Sequence, residues 1–291
     1  NDTITTGIND DIILGGTASD TITTTGGNNV ILGDNGSATY DATGHLRDVH
    51  TTANSVAGND TISTGTGDDI ILGGSGSDAI SSTNGDNIVL GDNGQILFDA
   101  NGLLVSAITA DVVNFGDDTI TLTAGNDIVL GGSGKDVVNG GNGNNIVLGD
   151  NGEAFFNTSR ILIDINTTDP DKGDNDTINV GTGDDVVIGG AGNDEITAGA
   201  GTNTILGDDG RATFFANGDL KLIESINLGN GGNDTITLQD GTNTVIAGAG
   251  NDTVTMGGGT NFAFGDEGKL EVLTDGSGTT EINSLNGNVG G

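Results

Sequence analysis

The sequence predicts an all-β fold, a right-handed parallel β-roll (a β-solenoid) of nonapeptide repeats with a β-hairpin insertion in each larger repeat unit. Three observations predict it. Glycine fills 55 of 291 positions, whereas proline occurs once and cysteine never. The tetrapeptide GDNG, or a close variant, begins at Gly33, Gly91, Gly149, Gly207 and Gly265, a constant interval that sets a period of 58. Within a unit, Asp or Asn recurs at every ninth position ahead of a short β-branched run: Asp60, Asp69, Asp78 and Asn87 precede TIS, IIL, AIS and IVL. A short period inside a longer one is the mark of a stacked repeat rather than of independent domains.

Each element follows from these patterns. The short runs of Ile, Val and Leu read as strands, and the glycine-rich links TGTGD and GGSGS as tight turns between them. Four strands and their turns make two coils, and GDNG then hands over to a different segment. That segment, 95–115 in the second unit, has two alternating apolar runs flanking Asn101-Gly102, the signal of a two-residue hairpin. Seven of the nine aromatics lie in these segments (Tyr40, Phe98, Phe115, Phe155, Phe156, Phe214 and Phe215), as do five of the seven cations. The expected role of the hairpins is a lateral brace on the flank of the roll, with a partner-binding surface as the alternative. The units run over about 1–58, 59–116, 117–174, 175–232 and 233–291, and form one continuous solenoid. Five units account for the whole chain but a single position, which suggests a segment of a longer array or a protomer that stacks end to end.

Charge excludes several classes. Asp and Glu number 42 against 7 Lys and Arg, a net charge of −35. A nucleic-acid partner would need a basic footprint. No apolar run approaches the roughly 20 residues of a membrane span, so no membrane insertion is expected. Such charge favours disorder, yet 33% hydrophobic residues in strand-like runs contradict it. A compact chain with this excess repels itself unless cations are bound. Neutralisation by divalent ions sets a ceiling on the order of 17 ions.

Regular placement of Asp identifies the ligands. Aspartates two nonapeptides apart line up on one edge of a two-sided roll, and glycine turns let peptide carbonyls converge beside them. Hard oxygens in rows suit Ca²⁺, which accepts 6–8 of them in flexible geometry; the absence of cysteine and the presence of only His45 and His50 disfavour zinc and copper. The candidate ligands are Asp2, Asp20, Asp60, Asp78, Asp118, Asp136, Asp176, Asp194, Asp234 and Asp252, together with Asp11, Asp69, Asp127 and Asp185. The GDNG aspartates Asp34, Asp92, Asp150, Asp208 and Asp266 join them, with an Asx-turn role as the bland alternative. Asn29, Asn87, Asn145, Asn203, Asn243 and Asn261 replace Asp in the same frame, so those positions are expected to be weaker sites or purely structural. Asp10, Asp68, Asp117 and Asp184 read as solvated surface charge.

The motif G-G-x-G-x-D-x-(large apolar)-x resembles the repeats-in-toxin (RTX) calcium-binding β-roll. Gly73 to Ser81, Gly131 to Asn139 and Gly189 to Thr197 match it fully, whereas Gly15 to Thr23 departs at Ala18 and Ala247 to Thr255 at Ala247. The hairpin insertions and GDNG lie outside that pattern. The resemblance implies export in an unfolded state and folding in extracellular calcium. The expected function is a calcium-dependent structural module of a large secreted surface, matrix or filament-forming protein, self-associating end to end or laterally. An accessory module of a secreted enzyme is the alternative, and a glycan-binding adhesin using the hairpin aromatics is another. The carboxylates form regular ladders without a nucleophile–base set, so the chain itself is not expected to be an enzyme. Ice binding ranks low, because no one-sided threonine ladder is evident along the sequence.

Overall fold

A computed structural model describes residues 1–52, 58–110, 116–229, 231–272 and 280–285. Its strands form three ten-stranded sheets, two parallel and one antiparallel. In the third unit, Thr119–Leu122 and Val137–Gly141 belong to the first parallel sheet, and Ile128–Leu130 and Ile146–Leu148 to the second. The hairpin strands Gly152–Phe156 and Leu162–Thr167 belong to the third sheet. Successive partners in the first sheet alternate between a short and a long step along the chain, as in Thr3↔Thr21 and Thr21↔Thr61. The longer step is where the hairpin leaves the roll.

The hairpins do more than brace. Each pairs with the next, as in Gln95↔His50, Ile96↔Val49 and Leu97↔Asp48. Each unit therefore sends two strands to every sheet. At a strand spacing of about 4.8 Å, all three sheets advance about 10 Å per unit, which keeps a two-strand insertion in step with two coils. This is a physical reason for one hairpin per two coils.

The layers stack first sheet, second sheet, hairpin sheet. Central strand residues such as Ile62, Ile71, Ile120 and Val129 fill the space between the parallel sheets. Flanking residues of the second sheet, such as Leu72, Leu90 and Leu130, pack against Ile96, Ala107, Ile165 and Ala212 of the hairpins. Burial on both faces explains why the second-sheet strands read IVL or VIL, whereas first-sheet strands alternate as TIT. Gly94, at the start of a hairpin strand, crosses directly over Leu90, and a Cβ there would collide with the Leu90 side chain. Leu130 is fully buried in the second core. Leu130→Ala is expected to cost about 2–5 kcal/mol in calcium-loaded protein, read by denaturant unfolding, because the sheets above and below it cannot collapse into the gap.

One expectation about the hairpins needs correction. Asn101-Gly102 is not a two-residue turn. Asp99 and Leu103 close a longer loop through Asp99 N–H to the Leu103 carbonyl at 2.8 Å, with Gly102 at φ 75°. The Asp99 carboxylate accepts the Asn101 and Leu103 N–H groups and thereby selects that loop. Arg160 takes the same left-handed position in the next hairpin at φ 59°, at a cost of roughly 1–2 kcal/mol relative to glycine. The aromatic hairpin residues divide between core and surface: Tyr40 is exposed, and Phe155 and Phe215 are partly exposed. Phe156 is buried in the second core, and Phe98 and Phe214 pack against it; Phe115 lies outside the described residues. Of the gathered cations, Arg211 spans neighbouring hairpins to Asp164, and Lys269 of the last hairpin lies against Glu224 and Glu271.

Candidate metal centre

The turns place the predicted carboxylates in two rows, one on each edge of the roll. On the first edge, each Asp side chain accepts the backbone N–H of the Asp one coil earlier. Asp60 N–H donates to Asp78 Oδ1, Asp78 to Asp118, Asp118 to Asp136 and Asp136 to Asp176, each at 2.7 Å. The row starts with Asp2 donating to Asp20 and Asp20 to Asp60, and continues from Asp176 through Asp194 and Asp234 to Asp252. One oxygen of each carboxylate is thus fixed by the backbone. The other Oδ2 of Asp20, Asp60, Asp78, Asp118, Asp136, Asp176, Asp194, Asp234 and Asp252 is buried without a partner. A buried carboxylate oxygen left bare costs several kcal/mol unless a proton or a cation meets it.

Glycine shapes the space those oxygens face. A Cβ on Gly91 would fall within 3.0 Å of both Asp118 Oδ2 and the Gly131 carbonyl oxygen. Gly131 is placed identically between Asp136 Oδ2 and the Gly149 carbonyl, and Gly149 between Asp176 Oδ2 and the Gly189 carbonyl. Every such chamber has a carboxylate oxygen on one wall and a peptide carbonyl on another.

The GDNG aspartates complete this edge. Asp34 and Asp92 accept the N–H of Ser75 and Ser133 at 2.8 and 2.7 Å, and Asp150 accepts that of Ala191. Asp208 accepts from both Gly232 and Ala249. These bonds run forward to the next G-G-x-G turn. The other oxygen is buried and bare in Asp34, Asp92 and Asp150. Asp266 is exposed and meets no such turn among the described residues, and Asp2 is exposed at the other end.

The second edge differs. Asp69, Asp127 and Asp185 also bury a bare Oδ2. Between them stand asparagines whose amides are already committed. Asn87 Nδ2 donates to the Gly85 carbonyl and to Asp127 Oδ1, both at 2.9 Å. Asn29 and Asn145 do the same toward Asp69 and Asp185. The NH₂ group occupies the place where a bare oxygen faces the turn on the first edge. Asn203, Asn243 and Asn261 follow with no carboxylate among them. Open levels on this edge therefore alternate with filled ones, and Asp11, partly exposed, donates its N–H to Asn29.

Electrostatics agree with the geometry. Burial pushes the carboxyls of Asp34, Asp60, Asp127 and Asp185 up to about 6, and that of Asp234 to about 7. Burial, with neighbouring carboxylates adding to it, lifts Asp92 to about 8 and Asp78 and Asp208 to about 9. Asp118, Asp150, Asp176 and Asp194 are held well above the ordinary range for the same reasons. Without a counter-charge these groups cannot all be ionised.

The donor set is oxygen alone. Among the described residues no three acidic or imidazole side chains converge on one point, so an ion here would be held by one or two carboxylates with peptide carbonyls. That chemistry fits Ca²⁺. His45 and His50 sit in a hairpin, bonded to the Ala100 carbonyl and to Asp48, away from both rows.

The RTX calcium-binding nonapeptide repeat (4 copies) matches residues 1–22, 55–89, 113–152, 172–205, 181–213 and 228–263, more than half of the chain. This chain belongs to the RTX calcium-binding repeat family. RTX repeats bind several Ca²⁺ ions, and the first-edge turns of this chain carry bare carboxylate oxygens beside peptide carbonyls. No curated protein matches the chain.

Sequence reasoning missed two features of this RTX roll. Asp209, the third residue of GDDG where the first three units have Asn and the fifth has Glu267, is buried with a bare Oδ2, and burial raises its carboxyl. The variant tetrapeptide was the available signal. Asp10, Asp68, Asp117 and Asp184 lie at the surface, but each accepts a backbone N–H of the next coil at 2.7–3.1 Å. They are rungs of an outer ladder as well as surface charge.

Proposed function

We propose that this chain is a calcium-triggered structural segment of a secreted protein, non-enzymatic, which folds outside the cell and lends rigidity to a surface, matrix or filament assembly. The observation that carries this reading is the row of buried carboxylates on the first edge, each with one oxygen bare. Ionised, they oppose the fold; with Ca²⁺ in the chambers they hold successive coils together, so binding energy becomes folding energy. The calcium supplies charge neutralisation and coordination, and the chain's residues supply the register. Millimolar calcium outside a cell and its scarcity inside make such a fold conditional on export. Coil-on-coil pairing of the kind that joins successive units would also join one copy to another, end to end or laterally.

Circular dichroism and sedimentation with and without Ca²⁺ at neutral pH test this. Strand signal and a compact particle are expected only with calcium, with elongated assemblies in electron micrographs. A chain that stays folded and monodisperse in excess chelator would overturn the reading.

A further inference from the structure

The outward face of the first parallel sheet is unlike the rest of the molecule. Strand register brings two rows of side chains to that face. The first row runs from Thr3 through Thr21, Thr61 and Thr119 to Thr253. The second runs from Thr5 through Thr23 and Thr121 to Thr255 over the same ten strands. Of the twenty positions, thirteen are Thr and two Ser, and Asn139 and Asn179 keep the second row polar. Alternating short and long steps between partners hide this ladder in the linear sequence, so the expectation that none exists is wrong.

Charge is nearly absent from this face. The chain carries 42 acidic residues, yet Glu195 is the sole charged side chain in the two rows. Aromatic, Met and Arg anchors, which mark protein interfaces, are missing from them. A stacked sugar would need an aromatic platform, and a polyanion would need cations. What remains is a neutral, rigid, hydrogen-bonding lattice. Rows about 4.8 Å apart from strand to strand and about 6.7 Å apart along each strand present hydroxyl and methyl groups in a two-dimensional grid. Threonine is stiff at χ1, so the grid is ordered before anything binds. The edge ladders hold each coil to the next and oppose the twist a long sheet would otherwise accumulate.

We propose that this threonine face binds ice, its hydroxyl and methyl grid matching the oxygen rows of a crystal plane. Lattice water is the occupant that the neutral, unanchored grid fits. The test is ice recrystallisation and thermal hysteresis of the calcium-loaded chain, with circular dichroism recorded on the same samples to separate loss of fold from loss of binding. Wild-type protein is expected to arrest recrystallisation at micromolar concentration. Thr121→Tyr with Thr237→Tyr keeps strand propensity while raising bulk above the grid, and is expected to raise the required concentration at least tenfold with an unchanged strand signal. Folded wild-type protein with no more effect than an equal mass of serum albumin overturns the proposal. So does a double variant that is folded and fully active, and so does retention on powdered cellulose in place of ice.

Discussion

Stripped of metal and dialysed into metal-free buffer, the chain is expected to be most structured near pH 4 and to lose strand signal as the pH rises toward about 9. The sign follows from the carboxyls. Asp34, Asp60, Asp78, Asp92, Asp208 and Asp234 have folded-state values raised to between about 6 and about 9 from the ordinary 3.8. The fold holds those protons more tightly than the unfolded chain does, so protonation favours folding. That stabilisation is complete below about 4 and is lost as pH rises through 6 to 9. Calcium reverses the trend, because an ion entering a chamber displaces protons. Its apparent affinity should rise about tenfold per pH unit for each proton released per ion. Far-UV circular dichroism against pH, with and without Ca²⁺, reads both arms. A metal-free chain whose strand content grows from pH 5 to 8 would contradict the buried-carboxylate account.

The second large effect concerns one glycine. Gly131→Ala is expected to remove about one bound ion by calorimetry and to move the calcium midpoint of folding several-fold higher. Backbone strain is not the cause, since Gly131 is absent from the positive-φ residues. The methyl would occupy the space between Asp136 Oδ2 and the Gly149 carbonyl, adding about 1–3 kcal/mol of overpacking to the lost coordination. Asn145→Asp on the opposite edge is the contrasting variant. It removes the amide bonds to the Gly143 carbonyl and Asp185 and leaves a carboxylate in their place. It should therefore weaken the metal-free fold while gaining about one ion. Full ion stoichiometry in Gly131→Ala protein would show that the chambers are not the sites.

Ala247 illustrates the same logic in the native chain. It stands one whole unit after Gly189, whose Cβ position is walled by Asp194 Oδ2 and the Gly207 carbonyl. A methyl already fills that place beside Asp252, so this level is the poorest first-edge candidate. Ala18 departs from the motif differently: it adopts a positive φ of 71° where glycine, at the equivalent positions 76, 134, 192 and 250, takes φ of 112–135°.

Much of this protein was legible in one dimension. Period nine placed Asp60, Asp78 and Asp118 on one edge and Asp69 and Asp127 on the other, because each coil repeats its backbone and therefore its side-chain directions. Period 58 separated roll from hairpin, and Asp on a short stem among glycines named the chemistry. Tertiary structure decided what depends on pairing between strands far apart in the chain. Hairpins could be read as hairpins, but their union into a third sheet rests on Val49 meeting Ile96 across the gap between units. Asn87 could be read as a weaker Asp, but the commitment of its NH₂ group to Gly85 and Asp127 needed the neighbouring coil. Thr21 and Thr61 could not be read as neighbours at all, since a whole hairpin insertion lies between them. Local sequence sets which way each side chain points, and register alone sets what stands beside it.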